Sequence, residues 1–342
     1  MMRQKTRSSG NPGGAHRAAG RAGSAAEAKQ RPDLSVRLGS LKLVNPVMLA
    51  SGVAGYGEEL GNVADLGHVG AVVTKTITPK ERAGNRPPRL LETPAGLMNS
   101  IGLANVGLRV FLEKVLPGLK RLRARIVVSV GGFSVRDYQS VLVSVDAAGG
   151  ADAFEINVSC PNVRAGGIHF GASASRAAAV VKALRPLTAL PLLVKLTPNV
   201  TDIGAVAEAC VSEGADCLTV ANTYKALSVD LRTRRPMLGA GTGGLSGPAV
   251  KPLSMAKVWE VVSRVRVPVV ACGGISTAED ALEYIVVGAT AVQIGTACFR
   301  SFKTPELIVD GIAEYLRKNS HGSIEELRGT MVLPARPGRS GR

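Results

Sequence analysis

The sequence predicts an α/β protein, a (β/α)8 TIM barrel, on three observations. Eight apolar, β-branched runs recur along the 342 residues, each closing on a polar residue or a glycine. Helix-period segments lie between most of them. The three longest connections, 76–105, 158–171 and 223–251, all follow strands, so all would cap the C-terminal mouth, where barrels carry their sites.

Taken in order, "SVRLGSLKLVNPV" (35–47) reads as a short hairpin ahead of the barrel. The strands then end at Ser51 in "VMLASG", Lys75 in "AVVTKT", Ser129 in "IVVSVGG" and Asn157 in "AFEINVS". The other four end at Lys195 in "LLVKLTP", Asn222 in "CLTVANT", Gly273 in "VPVVACGG" and Gly295 in "AVQIGT". Helices are expected over 106–123, 172–184, 203–213 and 278–287. Near-continuous apolar strands are those of a parallel sheet buried on both faces, which favours the closed barrel. The rival, a doubly wound sheet, should carry G-x-G-x-x-G after its first strand. "LASGVAGYGEE" lacks that spacing, and in "GTGGLSG" (241–247) Ser246 takes the third glycine's place.

A formal charge of +16 suggests a nucleic-acid partner, but its distribution argues against one. Residues 1–33 hold seven Lys/Arg against Glu27 and Asp33, and 334–342 add Arg336, Arg339 and Arg342. These Gly/Ala/Ser/Pro-rich stretches hold half the excess and have too few apolar residues to offset ordering entropy. The expected organisation is a disordered basic tail over 1–33, a barrel over 34–318, and an extension over 319–342 whose last part is disordered. No apolar run reaches the ~18 residues of a membrane span, and no secretory h-region opens the chain. The five cysteines form no C-x-x-C pair, so no zinc or iron–sulfur ligand set is visible, and a reducing, cytoplasmic setting is expected. Cys210, Cys217, Cys272 and Cys298 are read as buried small hydrophobes.

The strand ends converge on one mouth. Ser51, Lys75, Asn99, Asn157, Cys160, Asn162, Lys195, Asn222 and Thr223 together make a polar pocket for a planar anion. Singly, each has a bland reading: a strand-end Asn is usually a turn former and a strand-end Lys a solvated one. The Gly273–Gly274 and Gly295–Thr296 pairs follow strands seven and eight, where barrels commonly seat phosphate on backbone N–H groups. Cys160 differs from the other cysteines in standing among polar groups on a mouth loop. A thiol near lysines could act as base or nucleophile, and the lack of a triad-like His or Asp favours proton abstraction over hydrolysis. His169 is near in sequence, with no assigned role.

The strings "NSIGLAN", "NVSCPNVRAGG", "KLTPN", "ANTY", "GGLSGPA" and "GGI" follow one another across the barrel. With these, residues 34–318 resemble the FMN-dependent dihydroorotate dehydrogenases of pyrimidine biosynthesis. The resemblance implies an FMN site at the mouth and Cys160 as the catalytic base, removing the C5 proton of dihydroorotate while hydride passes from C6 to N5 of FMN. The membrane-bound class has serine at that position. Lys75, Asn99, Asn157, Asn162, Asn222 and Thr223 match residues that hold the substrate, and backbone at Ile101, Gly102 and Leu103 would close its carboxylate end.

For FMN, the matching positions are Ala50, Ser51, Lys75, Thr76, Asn157, Lys195, Ala221, Gly247, Gly273, Gly274, Gly295 and Thr296. Ser129 stands where the family has an Asn contacting FMN, and Ala221 replaces a larger aliphatic residue. "CPNVRAGGIHFG" and "TGGLSGPAVKP" look like the NAD-linked class (1B) rather than the fumarate-linked one (1A). That class implies a partner subunit carrying FAD and a [2Fe–2S] cluster around a homodimer core, a heterotetramer in all. A tRNA-dihydrouridine synthase would need a helical RNA-binding domain after the barrel, and a dihydropyrimidine dehydrogenase-like loop typically reads "CPH" rather than "CPN".

Overall fold

The computed structural model describes residues 31–56, 66–159 and 170–334, all but Arg31 within the unit Pro32–Arg342. All eight predicted strands form: β1 Val47–Leu49, β2 Ala71–Val73, β3 Arg125–Val130, β4 Ala153–Asn157, β5 Leu192–Lys195, β6 Cys217–Val220, β7 Val269–Cys272 and β8 Ala291–Ile294. Each pairs in parallel with the next, and β8 pairs with β1, so the sheet closes into the expected barrel. The strands are short, and β1, β2, β4, β5, β6 and β8 are buried at every position. That explains why they read as unbroken apolar runs rather than alternating ones.

Around them lie α1 Val135–Ala148, α2 Ala174–Leu184, α3 Ile203–Ser212, α4 Lys251–Val262, α5 Ala278–Val287 and α6 Thr304–Lys318. Three of their starts are written locally. Ser134 with Asp137, and Thr277 with Asp280, form reciprocal capping boxes, and Asp202 caps α3 through Ala205 N–H. Two of these helices hold strand ends in place for the mouth. Tyr138 on α1, fully packed, donates its hydroxyl to Asn157 O at 3.0 Å, and Tyr284 on α5 donates to Gly273 O at 2.7 Å.

The hairpin Val36–Leu38/Leu41–Leu43 buries Leu38 and Leu43 in the same core as Val47. The helix expected over 106–123 is shorter and irregular: Gly107–Val110, a π-turn at Phe111–Val115, then Leu116–Leu119. Pro117 lacks the N–H that would bond back to the preceding turn, so a regular α-ladder cannot run through it. In the extension, Gly329 and Met331 N–H donate to Ile285 and Val286 O of α5.

Two of the long mouth connections carry structure that periodicity did not reveal. Leu90–Thr93 and Gly96–Asn99, from the loop after β2, join Tyr224–Ala226 and Gly243–Ser246, from the loop after β6, in one antiparallel sheet over the mouth. Gly244 stands opposite Asn99, and Ser246 opposite Leu97.

Candidate active site at the barrel mouth

Two cavities adjoin at the mouth and share Ser51, Asn99, Lys195, Asn222 and Thr223 in their walls. The larger, about 340 Å³, is within the size range of small-molecule sites. It is lined by the ends of β1, β7 and β8 and by the mouth sheet: Ala50, Ala221, Gly247, Gly273, Gly274, Gly295 and Thr296 face it, with Leu97, Leu245 and Ser246 opposite. Thr296 donates its hydroxyl to Ser246 Oγ at 2.7 Å, and Ser246 donates to Leu97 O at 3.1 Å, tying the β8 turn to the mouth sheet.

The glycines of this wall are there for different reasons. Gly274 holds φ at 73°, and a Cβ there would meet Lys251 backbone at 2.7 Å. A Cβ on Gly273 would collide with Ser254 Oγ. Gly295 has neither constraint: a Cβ would meet only Ala50 Cβ, at 3.9 Å. Glycine at 295 therefore answers to no demand from the protein's own packing, and its missing side chain leaves room for something else to approach the backbone.

The smaller cavity, about 200 Å³, is lined by the amides and hydroxyls of Thr76, Asn99, Asn157, Asn222 and Thr223, by Lys75, and by Ile101, Gly102 and Leu103. Leu103 holds φ at 57°, a left-handed conformation that costs a non-glycine residue about 1–2 kcal/mol. The polar side chains brace one another. Asn157 donates Nδ2–H to Thr76 Oγ1 at 3.1 Å, and its Oδ1 accepts from the Ser159 hydroxyl at 2.8 Å. Asn222 donates to Ser159 Oγ at 2.7 Å and accepts from Thr223 N–H at 2.8 Å. Asn99 donates to Gly244 O at 3.3 Å.

Lys195 rises from the floor between the two lobes, its side chain 6% exposed. It donates to Gln293 Oε1 at 3.0 Å and lies 3.7 Å from Glu155 Oε1, on a carboxylate that is wholly buried. Gln293 in turn donates to Glu155 Oε2 at 2.6 Å, and Thr219 donates to the same oxygen at 3.1 Å. Burial, the largest single influence, would drive the lysine toward its neutral form, but the Glu155 charge, the Cys272 sulfur and the polar contact with Glu155 together outweigh it and hold the ammonium above the ordinary lysine range.

Every described residue expected to bind substrate lines the smaller cavity, and those expected to bind the cofactor line one cavity or the other, with one exception. Ser129 is fully buried behind the smaller lobe, its Oγ 2.9 Å from Thr76 Oγ1, and it backs that hydroxyl. Cys160, Asn162 and His169 lie outside the described residues. Cys210, Cys217 and Cys298 are buried as expected, and burial pushes the thiols of Cys210 and Cys298 up to about 12. Cys272 departs from that expectation: it ends β7 half-buried, in the wall of the larger cavity.

Sequence reading missed Glu155, Gln293 and the mouth-sheet wall. Only Glu155 left a signal, as a lone charge inside an apolar strand. Among the described residues, no group of three or more His, Cys, Asp or Glu could hold a metal ion, and no helix is long and apolar enough to cross a membrane.

Fold and cleft together define a class: a (β/α)8 barrel whose mouth holds a glycine-walled lobe beside a smaller polar one. A family model described as dihydroorotate dehydrogenase matches residues 33–316. The chain belongs to the dihydroorotate dehydrogenase family. It is 47% identical over 301 residues to the dihydroorotate dehydrogenase B (NAD(+)) catalytic subunit of Trichlorobacter lovleyi, covering 88% of this chain and 99% of that one. The subunits of the same name from Geotalea uraniireducens and Geobacter metallireducens are 44% and 45% identical, over 88% and 89% of this chain and 99% and 100% of theirs.

Proposed function

We propose that this chain oxidises (S)-dihydroorotate to orotate in de novo pyrimidine biosynthesis, with FMN in the larger lobe and substrate in the smaller. The observation that carries this reading is the pairing of the lobes: an amide-lined pocket for a small planar anion, opening onto a glycine-lined one across Lys195. The open space at Gly295 and the Gly273–Gly274 turn suit a phosphate held on backbone N–H groups, with Thr296 adding a hydroxyl. When bound, FMN supplies the two-electron acceptor for the hydride leaving substrate C6.

The rest is the work of this chain's residues. Lys75 and the backbone of 101–103 hold the substrate carboxylate. Asn99, Asn157, Asn162, Asn222 and Thr223 pair with the ring amides, so an analogue missing one of those groups would leave a buried polar atom unpartnered. Cys160 takes the C5 proton. Lys195 would present a fixed positive charge to the bound flavin, on which negative charge develops on reduction. The relatives' name, a catalytic subunit using NAD(+), supports a second component. In this reading a subunit carrying FAD and [2Fe–2S] passes electrons to NAD, around a homodimer core in the cytoplasm.

Anaerobic mixing of the FMN-loaded chain with dihydroorotate tests the reading. The flavin absorbance bleaches within the mixing experiment, and Cys160→Ala slows the bleaching by about 10²-fold or more. Unchanged absorbance in the wild-type protein would sink the assignment, and equal rates in the variant would move proton abstraction to another group.

A further inference from the structure

The arrangement beneath Lys195 is not that of a simple ion pair. The lysine's short hydrogen bond goes to a neutral carboxamide, Gln293 Oε1 at 3.0 Å, while the carboxylate stands off at 3.7 Å. Glu155 Oε2 takes both donors, Gln293 Nε2 and Thr219 Oγ1, whereas Oε1 is buried with no hydrogen-bond partner. An unpartnered carboxylate oxygen in a barrel interior is costly unless a charge compensates it, and the ammonium is the cation beside it. Gln293 thus acts as a spacer, oriented by donating to one partner and accepting from the other. It keeps Lys195 from collapsing onto Glu155 and leaves the ammonium at the wall of both cavities.

We infer that Glu155 is a positioning residue for Lys195: fixed by Gln293 and Thr219, its carboxylate keeps the buried ammonium charged and facing the cleft. What Lys195 faces rests on the flavin reading above, but its own charge state does not. The groups around it bear this out element by element. From β4 come Glu155 and the neutral Asn157, from β6 Thr219, from β7 the Cys272 thiol and from β8 Gln293, while Lys75 shares the smaller lobe. Among the described groups facing Lys195, Glu155 is the one carboxylate.

The test uses the full chain loaded with FMN and the variant Glu155→Gln. The midpoint potential of the bound flavin is followed from about pH 6 to about pH 9 by dye equilibration. The variant's curve falls away from the wild-type curve toward alkaline pH, as Lys195 loses its proton, with at least about a tenfold loss of preference for reduced flavin at the alkaline end. The double variant Glu155→Gln/Lys195→Met, having no lysine to titrate, shows no such divergence. A Glu155→Gln curve parallel to wild type overturns the inference.

A second readout needs neither flavin nor the variant. In the full chain labelled with ¹³Cε-lysine, the Lys195 resonance, assigned by its loss in Lys195→Arg, does not titrate below about pH 10. Titration below that pH in the wild-type protein also overturns the inference. Failure of the chain to take up FMN would instead remove the functional reading, with the charge state of Lys195 still measured.

Discussion

The two lobes of the mouth are built from different materials. The larger takes much of its polar wall from main chain and glycines, at Gly247, Gly273, Gly274 and Gly295, with the mouth sheet closing the far side. The smaller is made of side chains that hydrogen-bond one another, with Asn157 and Ser159 at the hub. A wall of main chain is sensitive to added bulk and indifferent to lost functional groups. A wall of side chains is the reverse, because each amide is both a contact for ligand and a support for its neighbour.

The largest effect should come from Lys195, the charged residue common to both lobes. Lys195→Met leaves Glu155 buried without its counter-charge and is expected to cost roughly 3–5 kcal/mol in urea unfolding. Replacing the pair together, by Glu155→Gln/Lys195→Met, recovers most of that loss. Gly274→Val comes next, at about 3 kcal/mol with loss of bound FMN, because it forces a β-branched side chain onto a φ of 73° and against Lys251 backbone. Asn157→Ala strips the hub of the other lobe. It should cost about 1–3 kcal/mol and raise the KM for dihydroorotate at least tenfold, while FMN is retained.

Gly295→Ala is the sharpest trial of the contrast. Stability should change by no more than about 0.5 kcal/mol, since nothing in the protein occupies the space, yet FMN affinity measured by fluorescence quenching should fall about tenfold. Equal damage to stability and affinity would mean that the glycine serves packing after all. The smallest effect lies on the pH axis. Lys195 titrates above its ordinary value of 10.5, so its contribution is fully present below that pH and is lost as pH rises through the higher folded value. The stability advantage of wild type over the double variant should therefore be flat through neutral pH and shrink only above about 10.5.

The barrel was legible because each of its strands is a local, β-branched run, as "RIVVSV" and "LLVK" show, and its lobe-facing residues end those runs. The mouth sheet was not. Its strands are not apolar β-branched runs, they include Gly96, Gly243 and Gly244, and their pairing joins Asn99 to Gly244 across 145 positions. The floor network escaped for the same reason: Glu155 and Gln293 are 138 residues apart, and neither residue type announces the other. Ser129 shows a third limit. A strand end can be read as facing the mouth while its side chain turns behind a neighbour, here Thr76.

The pairing of Gly96–Asn99 with Gly243–Ser246 also bears on how such a mouth can be altered. Barrel enzymes are usually treated as a fixed drum with interchangeable loops, each free to be swapped for a new specificity. Here the loops after β2 and β6 are stitched edge to edge, and one contributes Asn99 to the small lobe while the other contributes Ser246 to the large one. A transplant of either loop alone would break a ladder that crosses the opening. Redesign of substrate choice on this scaffold has to carry both loops together, as a single cassette.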